Sequence, residues 1–575
     1  MCIRDRGKEP NSKEQTLKSV IETPLTQRTM AQLKPWIEAA EPFIIVGNEG
    51  CGKELMIRHA FAQRRKFVVT IINCSAQTKV AHVIAKIQQC CSLFSASDGR
   101  VYRPRDCERL ILYLKNLNLP KPDIYGTCML VAFLQQLVTF GGFYDANLEF
   151  LRIEGVQIVA SINPATTIGR HPLSTRFTAI VRIYYLDYPE THELSTIYEK
   201  LLVIAFRRVI AEGGAEVASN LAKFMKLEER TKLATTLVEI YEKIKATFLV
   251  DDARHYLFTP RDLSAWVKNL SQYDLGGEDL LDVISYEGSR IFRDRMVDEE
   301  SETKLDSIVR TILRSKFHFV PSLTDIHFTT MGLAAIGGHT KYSKQQRSES
   351  SGTDSLNTPL LVRTTRTEFQ SYVQKGIEHY ERETAELNML LFPQILEHIS
   401  RVDRVISSPG GNLLLIGRSG VGRRTAVKIV SHMHGFGFHN PSLTRSAGED
   451  AIRHFRSELK PVFHSVATER GHSILYLEDH HFTCEAVLEI VNSMLSSGEV
   501  PGLFSNEELE TLYASMREAM MDEGTEVNPY DYFIQQIRQS IHLCVAMDPT
   551  SKNFDTVSYT HLRAHETSLH LVCRL

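Results

Sequence analysis

A glycine-rich segment early in the chain carries the residue types and the spacing that bind phosphate groups. It fits the pattern Gly, four residues, Gly-Lys; it follows the apolar segment Phe43–Val46, and a helical pattern starts at Leu55. Glycines there let backbone N–H groups point at phosphate oxygens, and a helix N-terminus adds a favourable field. An ordinary strand-to-helix turn is the alternative. The residues are Gly47, Asn48, Glu49, Gly50, Cys51, Gly52, Lys53 and Glu54, with Lys53 reaching the outer phosphates.

The positions that normally hold Mg²⁺ and activate water depart from the pattern. Glu54 stands where a Ser or Thr hydroxyl usually binds the metal. The apolar segment Leu110–Leu114 should end in Asp-Glu, but Lys115 and Asn116 follow it. A neutral amide cannot accept a proton from water, so we expect hydrolysis at this loop to be weak or absent.

A second glycine-rich loop follows the apolar segment Leu413–Ile416. It keeps the glycines, but Arg replaces both the Lys and the Ser/Thr, and the later strand Ile474–Leu477 ends in two acids in reversed order, Glu478 and Asp479. Arg pairs with phosphate but its planar fork is not equivalent to Lys. Whether this loop binds nucleotide or is a structural relic stays open. Its residues are Gly417, Arg418, Ser419, Gly420, Val421, Gly422, Arg423, Arg424 and Thr425.

The substitutions at the two metal positions have opposite charges within each unit. The first unit pairs an acid in the loop, Glu54, with a base after the strand, Lys115, and the second pairs Arg424 with Glu478. We therefore predict that each pair forms a salt bridge that fills the metal site. Independent drift at two inactive sites is the alternative.

The elements around both loops predict an α/β fold with parallel sheets. Short apolar segments alternate with helical patterns in each unit, which is typical of parallel sheets flanked by helices. Residues 190–330 instead show helical spacing and predict a helical lid. Residues 338–358 are polar and predict a linker, and a helical segment, Phe369–Ile406, precedes the second sheet.

Composition excludes several classes of protein. The 575 residues are 43% hydrophobic and 23% charged with a net charge of -3, which is ordinary for a globular protein and gives no electrostatic case for nucleic acid or an anionic membrane. Neither a secretory signal core nor a CxxC pair occurs in the ten-cysteine sequence.

We expect no metal site, since His432, His434 and His439 lack the His-Glu-x-x-His spacing.

Both ends of the chain differ in character from the rest. Residues 1–6 read MCIRDR and residues 557–575 read VSYTHLRAHETSLHLVCRL. Both resemble translated sequencing-adapter read-through, and we expect neither to belong to the fold. A genuine polar tail is the alternative.

Longer motifs carry a family resemblance. Asn118–Thr127, Gly141–Tyr144, Gly169–Phe177 and Phe258–Trp266 resemble the third AAA+ module of dynein heavy chains, and Asn492–Phe504 resembles the fourth. The resemblance implies P-loop AAA+ modules with a helical lid subdomain. It divides the chain into a third-module large subdomain (7–190), its lid (191–337), a linker (338–362) and a truncated fourth-module large subdomain (363–556).

The resemblance also implies roles for three further residues. Asn163 would be a first sensor of the γ-phosphate, Arg261 a second sensor on the lid, and Arg176 a finger reaching the nucleotide of a neighbouring module. The alternatives are a turn residue before Pro164, a solvated helix charge and a surface arginine. In the second unit, Asp548 stands where the sensor Asn is expected.

Within the family, the second loop and the Lys115-Asn116 strand end resemble the cytoplasmic dynein 2 branch, the minus-end-directed motors of retrograde intraflagellar transport. That branch implies a motor of the cytoplasm, cytoskeleton and cilium, with a regulatory segment here that binds ATP or ADP in the first unit. The need for Mg²⁺ stays open. The alternatives are a structural spacer without nucleotide and a segment of a midasin-like AAA+ ring. The implied partners are neighbouring AAA+ modules of the same chain, the microtubule through a stalk, and intermediate and light chains through a tail.

Overall fold

The computed structural model describes residues 20–331, 360–550 and 569–574, apart from short breaks within the first two ranges. The predicted artefact at residues 1–6 and most of the predicted linker lie outside the described residues. Among the described residues, no helix is long and apolar enough to cross a membrane.

The first unit is a five-stranded parallel sheet with helices on both faces. Strand order is β2-β5-β8-β1-β9, so the loop after β1 lies near the middle of the sheet edge. The strands are β1 Phe43–Gly47, β2 Phe67–Asn73, β3 Cys91–Ala96, β4 Gly99–Pro104, β5 Arg109–Lys115, β6 Gly142–Tyr144, β7 Phe150–Ile153, β8 Val156–Ile162 and β9 Arg182–Leu186. The helices are α1 Pro24–Glu38, α2 Lys53–Ala62, α3 Val80–Cys90, α4 Met129–Phe140 and α5 Thr175–Thr178.

The parallel sheet confirms the predicted fold class, and its central strands are buried on both faces. Ile111, Leu112 and Tyr113 of β5 have no exposed surface, as a strand covered by helices on both sides requires. The sequence did not predict a second sheet, β3-β4-β7-β6, in this unit. Its strands are short and include an antiparallel pair, so they lack the apolar segments that identify the parallel strands.

The lid is helical, as predicted, and its described residues form the α-helices α6 Thr191–Met225, α7 Leu227–Thr247, α8 Pro260–Asn269, α9 Leu280–Phe292 and α10 Glu299–Phe317. Its core includes the fully buried Trp266, whose indole N–H donates to the Ile284 carbonyl at 3.0 Å. The antiparallel pair β10 Ile326–Thr329 and β11 Val362–Thr365 then leads to the second unit.

The second unit repeats the architecture of the first. Its sheet order, β13-β14-β15-β12-β16, matches the order of the first sheet. The helices are α11 Arg366–Glu383, α12 Pro393–Ile406, α13 Arg423–His434, α14 Glu449–Glu469, α15 Glu485–Ser496, α16 Asn506–Glu523 and α17 Pro529–Ser540. The strands are β12 Asn412–Ile416, β13 Gly437–His439, β14 Ser473–Glu478, β15 Ile541–Met547 and β16 Leu569–Arg574.

Two features of the second unit differ from the sequence prediction. The helical segment Phe369–Ile406 is two helices, α11 and α12, because Pro393 starts a new helix at its first position. The other difference is β16. The sequence predicts that residues 557–575 lie outside the fold, but β16 lies within this range and pairs in parallel with β12. The origin of that segment stays a prediction.

Candidate functional site

Lys53 is the centre of the first phosphate loop. The loop joins β1 to α2, and Gly50 and Gly52 adopt positive φ angles of 76° and 91°, which glycine tolerates without strain. The buried Lys53 ammonium donates to the Gly47 carbonyl at 2.8 Å, the Asn48 carbonyl at 2.7 Å and Asn163 Oδ1 at 2.8 Å. The lysine is therefore held inside the loop, where its positive charge would contact a bound phosphate.

Asn163 connects this lysine to the far side of the loop. It follows β8, has no exposed surface, and donates from Nδ2 to Glu49 Oε1 at 3.2 Å. Arg170, whose side chain is fully buried, lies 3.7 Å from the same carboxylate oxygen. Glu49 thus places a carboxylate beside Asn163 and Arg170 at the phosphate loop.

The predicted ion pair at the metal position of the first unit is confirmed. Lys115 Nζ lies 3.0 Å from Glu54 Oε2, and Glu54 also pairs with Arg58 at 2.8 Å. Burial opposes the charge on Glu54, but Lys115 and Arg58 outweigh it and lower the pKa of the carboxyl below its ordinary value. The acid at this position is bound by an ammonium, an arrangement that does not fit Mg²⁺, which requires anionic or neutral oxygen ligands.

Asn116 follows Lys115 in a left-handed conformation with φ 59° and is buried. Its Oδ1 atom has no hydrogen-bond partner among the described residues. Asparagine is one of the few residues that adopts this conformation readily. The position where a catalytic base is expected therefore carries a buried neutral amide.

The lid contacts the phosphate loop directly. A Cβ atom on Gly50 would lie 2.8 Å from Thr259 Cβ, so the start of α8 packs against the loop. Arg261 is exposed in the first turn of α8, and its charge acts on Tyr188, whose hydroxyl donates to the Glu49 carbonyl at 2.6 Å. The proposed second sensor thus lies near the loop.

Arg176 is exposed in the short helix α5, which Ser174 caps by accepting from the Phe177 N–H at 3.3 Å. It lies on the surface of the unit, where a residue acting on a neighbouring module has to be. Its role as a finger stays a prediction.

The second loop has the predicted backbone but a different charge arrangement. Gly420 and Gly422 have φ angles of 91° and 86°, and α13 begins at Arg423. The predicted Arg424–Glu478 salt bridge is wrong. Among the described residues, Arg424 contacts the Asn440 side-chain oxygen at 2.7 Å, and Glu478 Oε2 lies 3.5 Å from His480 Nδ1. Arg424 is exposed and lies close to Asn440. Glu478 instead caps the 3-10 helix Asp479–His481 that directly follows it.

Acids lie beside Arg423, another arginine of the second loop. Asp548 accepts hydrogen bonds from Thr550 and from the Ser419 backbone, and these bonds lower its pKa, with the charge of Arg423 adding to the effect. Asp479 Oδ2 accepts the Asp548 N–H at 2.7 Å, and burial raises the pKa of Asp479. Asp548 thus places a carboxylate where the sensor Asn is expected. This carboxylate is hydrogen-bonded to the loop, and its negative charge repels phosphate.

Sequence reasoning missed four residues of the first site as functional contacts: Thr259, Arg170, Tyr188 and Asn118, which donates to the Asn163 carbonyl at 2.8 Å. Arg170 and Asn118 lie within the motifs that carried the resemblance, so position within those motifs was the available signal. Thr259 also lies within one of these motifs, Phe258–Trp266, whereas Tyr188 lies outside all of them, and only the folded chain brings it to the loop.

A glycine loop between a central parallel strand and a helix, closed by a helical lid, defines the first unit as a P-loop module of the AAA type, and the second unit repeats its sheet and loop. The comparison with protein families agrees with this class. Residues 8–189 match the family described as "P-loop containing dynein motor region", residues 217–302 the "Dynein heavy chain, ATPase lid domain", and residues 387–567 the "P-loop containing dynein motor region D4". The chain belongs to the dynein heavy-chain family.

Known relatives place the chain nearer to one branch of that family. It is 42% identical to cytoplasmic dynein 2 heavy chain 1 of Tripneustes gratilla and 40% identical to that of Homo sapiens, over 93% of this chain in both cases. Identity to the cytoplasmic dynein heavy chain of Caenorhabditis elegans is 27% over 92% of the chain. The predicted similarity to cytoplasmic dynein 2 is confirmed. The chain spans 12% of the length of the two dynein 2 relatives.

Proposed function

We propose that this chain is a regulatory segment of a dynein motor ring, in which the first unit binds ATP or ADP and hydrolyses it weakly or not at all. The observation that carries the proposal is the placement of Lys53. Its ammonium lies inside a glycine loop and contacts the sensor-position residue Asn163 at 2.8 Å. A lysine and an amide converging there are the groups that bind the outer phosphates of a nucleotide.

Weak hydrolysis follows from the adjacent residues. Lys115 and Glu54 satisfy each other at the metal position, and the buried Asn116 amide cannot take a proton from water. The Lys115 ammonium, held by Glu54, occupies the position where Mg²⁺ is expected. We infer that nucleotide binding by the first unit does not depend on Mg²⁺.

The wider role is proposed from the relatives. Their name, cytoplasmic dynein 2 heavy chain, supports a microtubule motor, and we propose retrograde intraflagellar transport in the cilium as its process. Nucleotide in the first unit would set the angle of the lid through the contact of α8 with the loop, and the lid would transmit this change to the second unit. Contacts with the microtubule and with intermediate and light chains would involve other parts of the motor.

The test is calorimetric titration of the chain with ADP and ATP, each with and without Mg²⁺. Wild type should bind in all four titrations with similar affinity. Lys53→Met removes the ammonium and should weaken binding about tenfold or more, since a hydrogen bond to a charged group contributes roughly 1.5–3 kcal/mol. Arg423→Met, the matched change in the second loop, should leave this affinity unchanged.

Absence of binding to a chain that far-ultraviolet circular dichroism shows to be folded would favour the structural spacer, the second candidate function. The internal contacts of Lys53, Asn163 and Glu49 support that candidate, because they satisfy the loop without a ligand. Binding that requires Mg²⁺ would refute the role given to Lys115.

A further inference from the structure

Three side chains that ligate transition metals meet on the surface of the second unit, outside both phosphate loops. His379 and Glu383 lie one turn apart on α11, and His432 lies in the last turn of α13. One ligand atom from each lies within 4.8 Å of the ligand atoms of the other two. The expectation that His432 is not a ligand is based on its neighbours in sequence, which lack a metal spacing, whereas its partners in the cluster come from another helix.

The distances within this cluster suit a single ion. His379 Nδ1 and His432 Nε2 are 3.0 Å apart. Two nitrogens bound tetrahedrally to Zn²⁺ at about 2.0–2.1 Å are separated by about 3.3 Å, so only a small adjustment is required. Glu383 Oε2 lies 3.7 Å from His432 Nε2, and a rotation of this exposed side chain would complete the third ligand.

The two helices hold the histidines in place. Gly376, one turn before His379, faces Met433, and a Cβ atom there would lie 2.6 Å from the Met433 sulfur. This close approach fixes the spacing of α11 and α13 beside the cluster. The Tyr380 ring packs edge-on against the His432 imidazole with centroids 5.2 Å apart, which restricts its orientation.

We propose that His379, Glu383 and His432 form a zinc-binding site that links α11 to the end of α13. Two imidazoles and one carboxylate, with a fourth position open to water, are a common ligand set for Zn²⁺. Because α13 begins at the second phosphate loop, a bound ion would fix the helix that carries this loop against α11. A hydrogen bond between the two imidazoles explains their separation without an ion, and the experiment has to distinguish the two.

The experiment is a calorimetric titration of the metal-free chain with ZnCl₂. Wild type should bind one Zn²⁺, and His379→Gln and His432→Gln should each weaken binding by at least about tenfold, because even loss of a group that only orients a ligand costs 10–100-fold. His464→Gln is the control, since His464 is exposed on α14 and outside the cluster.

A second readout, the absorption spectrum of bound Co²⁺, reports metal coordination directly and does not depend on the stability of the variants. Co²⁺ in place of Zn²⁺ should give visible absorption bands of a four-coordinate site in wild type and His464→Gln, and these bands should be lost in His432→Gln. Circular dichroism of each variant verifies folding. The proposal is overturned if wild type shows no saturable zinc binding, if both cluster variants bind zinc as wild type does, or if His464→Gln weakens binding equally.

Discussion

At the scale of single residues, the first phosphate loop has a salt bridge at the position where a metal is expected. Glu54 and Lys115 come from the start of α2 and the end of β5, which meet at the carboxyl edge of the sheet. Their side chains are 34% and 15% exposed, so the pair is partly shielded from water. An ion pair in this setting is worth more than one on the open surface, but less than a fully buried one.

Charge reversal of one partner should destabilise the first unit, and reversal of both should restore it. Glu54→Lys places two ammonium groups together and loses the contact with Arg58, so we expect a loss of about 2 kcal/mol in the free energy of unfolding. Glu54→Lys/Lys115→Glu should regain about 1 kcal/mol of this, after allowance for solvent screening. Urea unfolding at pH 7 measures both.

Acid should remove the contribution of the pair. The folded pKa of Glu54 is lowered, so the stabilisation is present above the ordinary pKa of a glutamate and disappears as the pH falls through the lowered value. The difference in stability between wild type and Glu54→Gln should therefore shrink in that range. The charge reversals give a separate test. If the losses in unfolding free energy of Glu54→Lys and Lys115→Glu simply add in the double variant, the two residues do not interact and their charges arose by independent drift.

At the scale of elements, the lid helix α8 and the phosphate loop are in rigid contact. Thr259 is the N-cap of α8, and its N–H donates to Asp262 Oδ2 at 2.8 Å. Asp262 is in turn paired with Arg295 at 2.5 Å. Thr259 therefore cannot turn away from Gly50 without losing the cap, so we expect a movement of the loop to reach the lid.

Two glycines of the loop provide a matched test of this contact. Gly50 and Gly52 have similar positive φ angles, but a Cβ on Gly50 would lie 2.8 Å from Thr259, whereas one on Gly52 would meet nothing within 4 Å. Both alanine variants should share the cost of a left-handed alanine. Gly50→Ala should lose a further 1–3 kcal/mol or so, as overpacking typically does.

Thermal or urea unfolding of the two variants without nucleotide measures this difference. Equal stabilities would show that α8 does not rest on the loop in solution. Nucleotide affinity is not a suitable readout, because both glycines line the cradle and both variants would lower it.

The sequence predicted the elements that have a local signature. Both glycine loops, the central strands and the helical lid were predicted, because apolar strands and loop glycines are determined by nearby residues. The partner of Arg424 was not, since choosing between Glu478 and Asn440 depends on how two loops fold together. Thr259 and the pair His379–His432 were missed for the same reason: each contact joins segments that are distant in the chain.

At the scale of the whole molecule, the lid of the first unit is joined to the second unit through buried charges. Glu287 of α9 has no exposed surface and accepts hydrogen bonds from Arg404 of α12, from Tyr273 at 2.5 Å and from Asn269 at 2.8 Å. Nearby, Arg401 of α12 lies 3.4 Å from the buried Asp294. The two large subdomains also touch, as Ser75 donates to Glu489 at 2.5 Å.

These contacts predict that the lid and the second unit unfold together. Glu287→Gln leaves the guanidinium of Arg404 buried without its counter-charge, and the loss of one partner of a buried pair costs about 3–5 kcal/mol. Both tryptophans, Trp36 and Trp266, lie in the first unit and its lid, so their fluorescence reports that half, while circular dichroism reports the whole chain.

In urea, the two signals should give one coincident transition for wild type and two separate transitions for Glu287→Gln. Glu287→Gln/Arg404→Met, which removes the orphaned charge as well, should bring the transitions closer together. If the wild-type signals already separate, or if Glu287→Gln leaves both unchanged, the buried pair does not couple the units. If the two transitions coincide in wild type and separate in Glu287→Gln, the buried pair couples the lid to the second unit. A change at the first loop that reaches the lid through α8 would then have a continuous, buried route into the second unit.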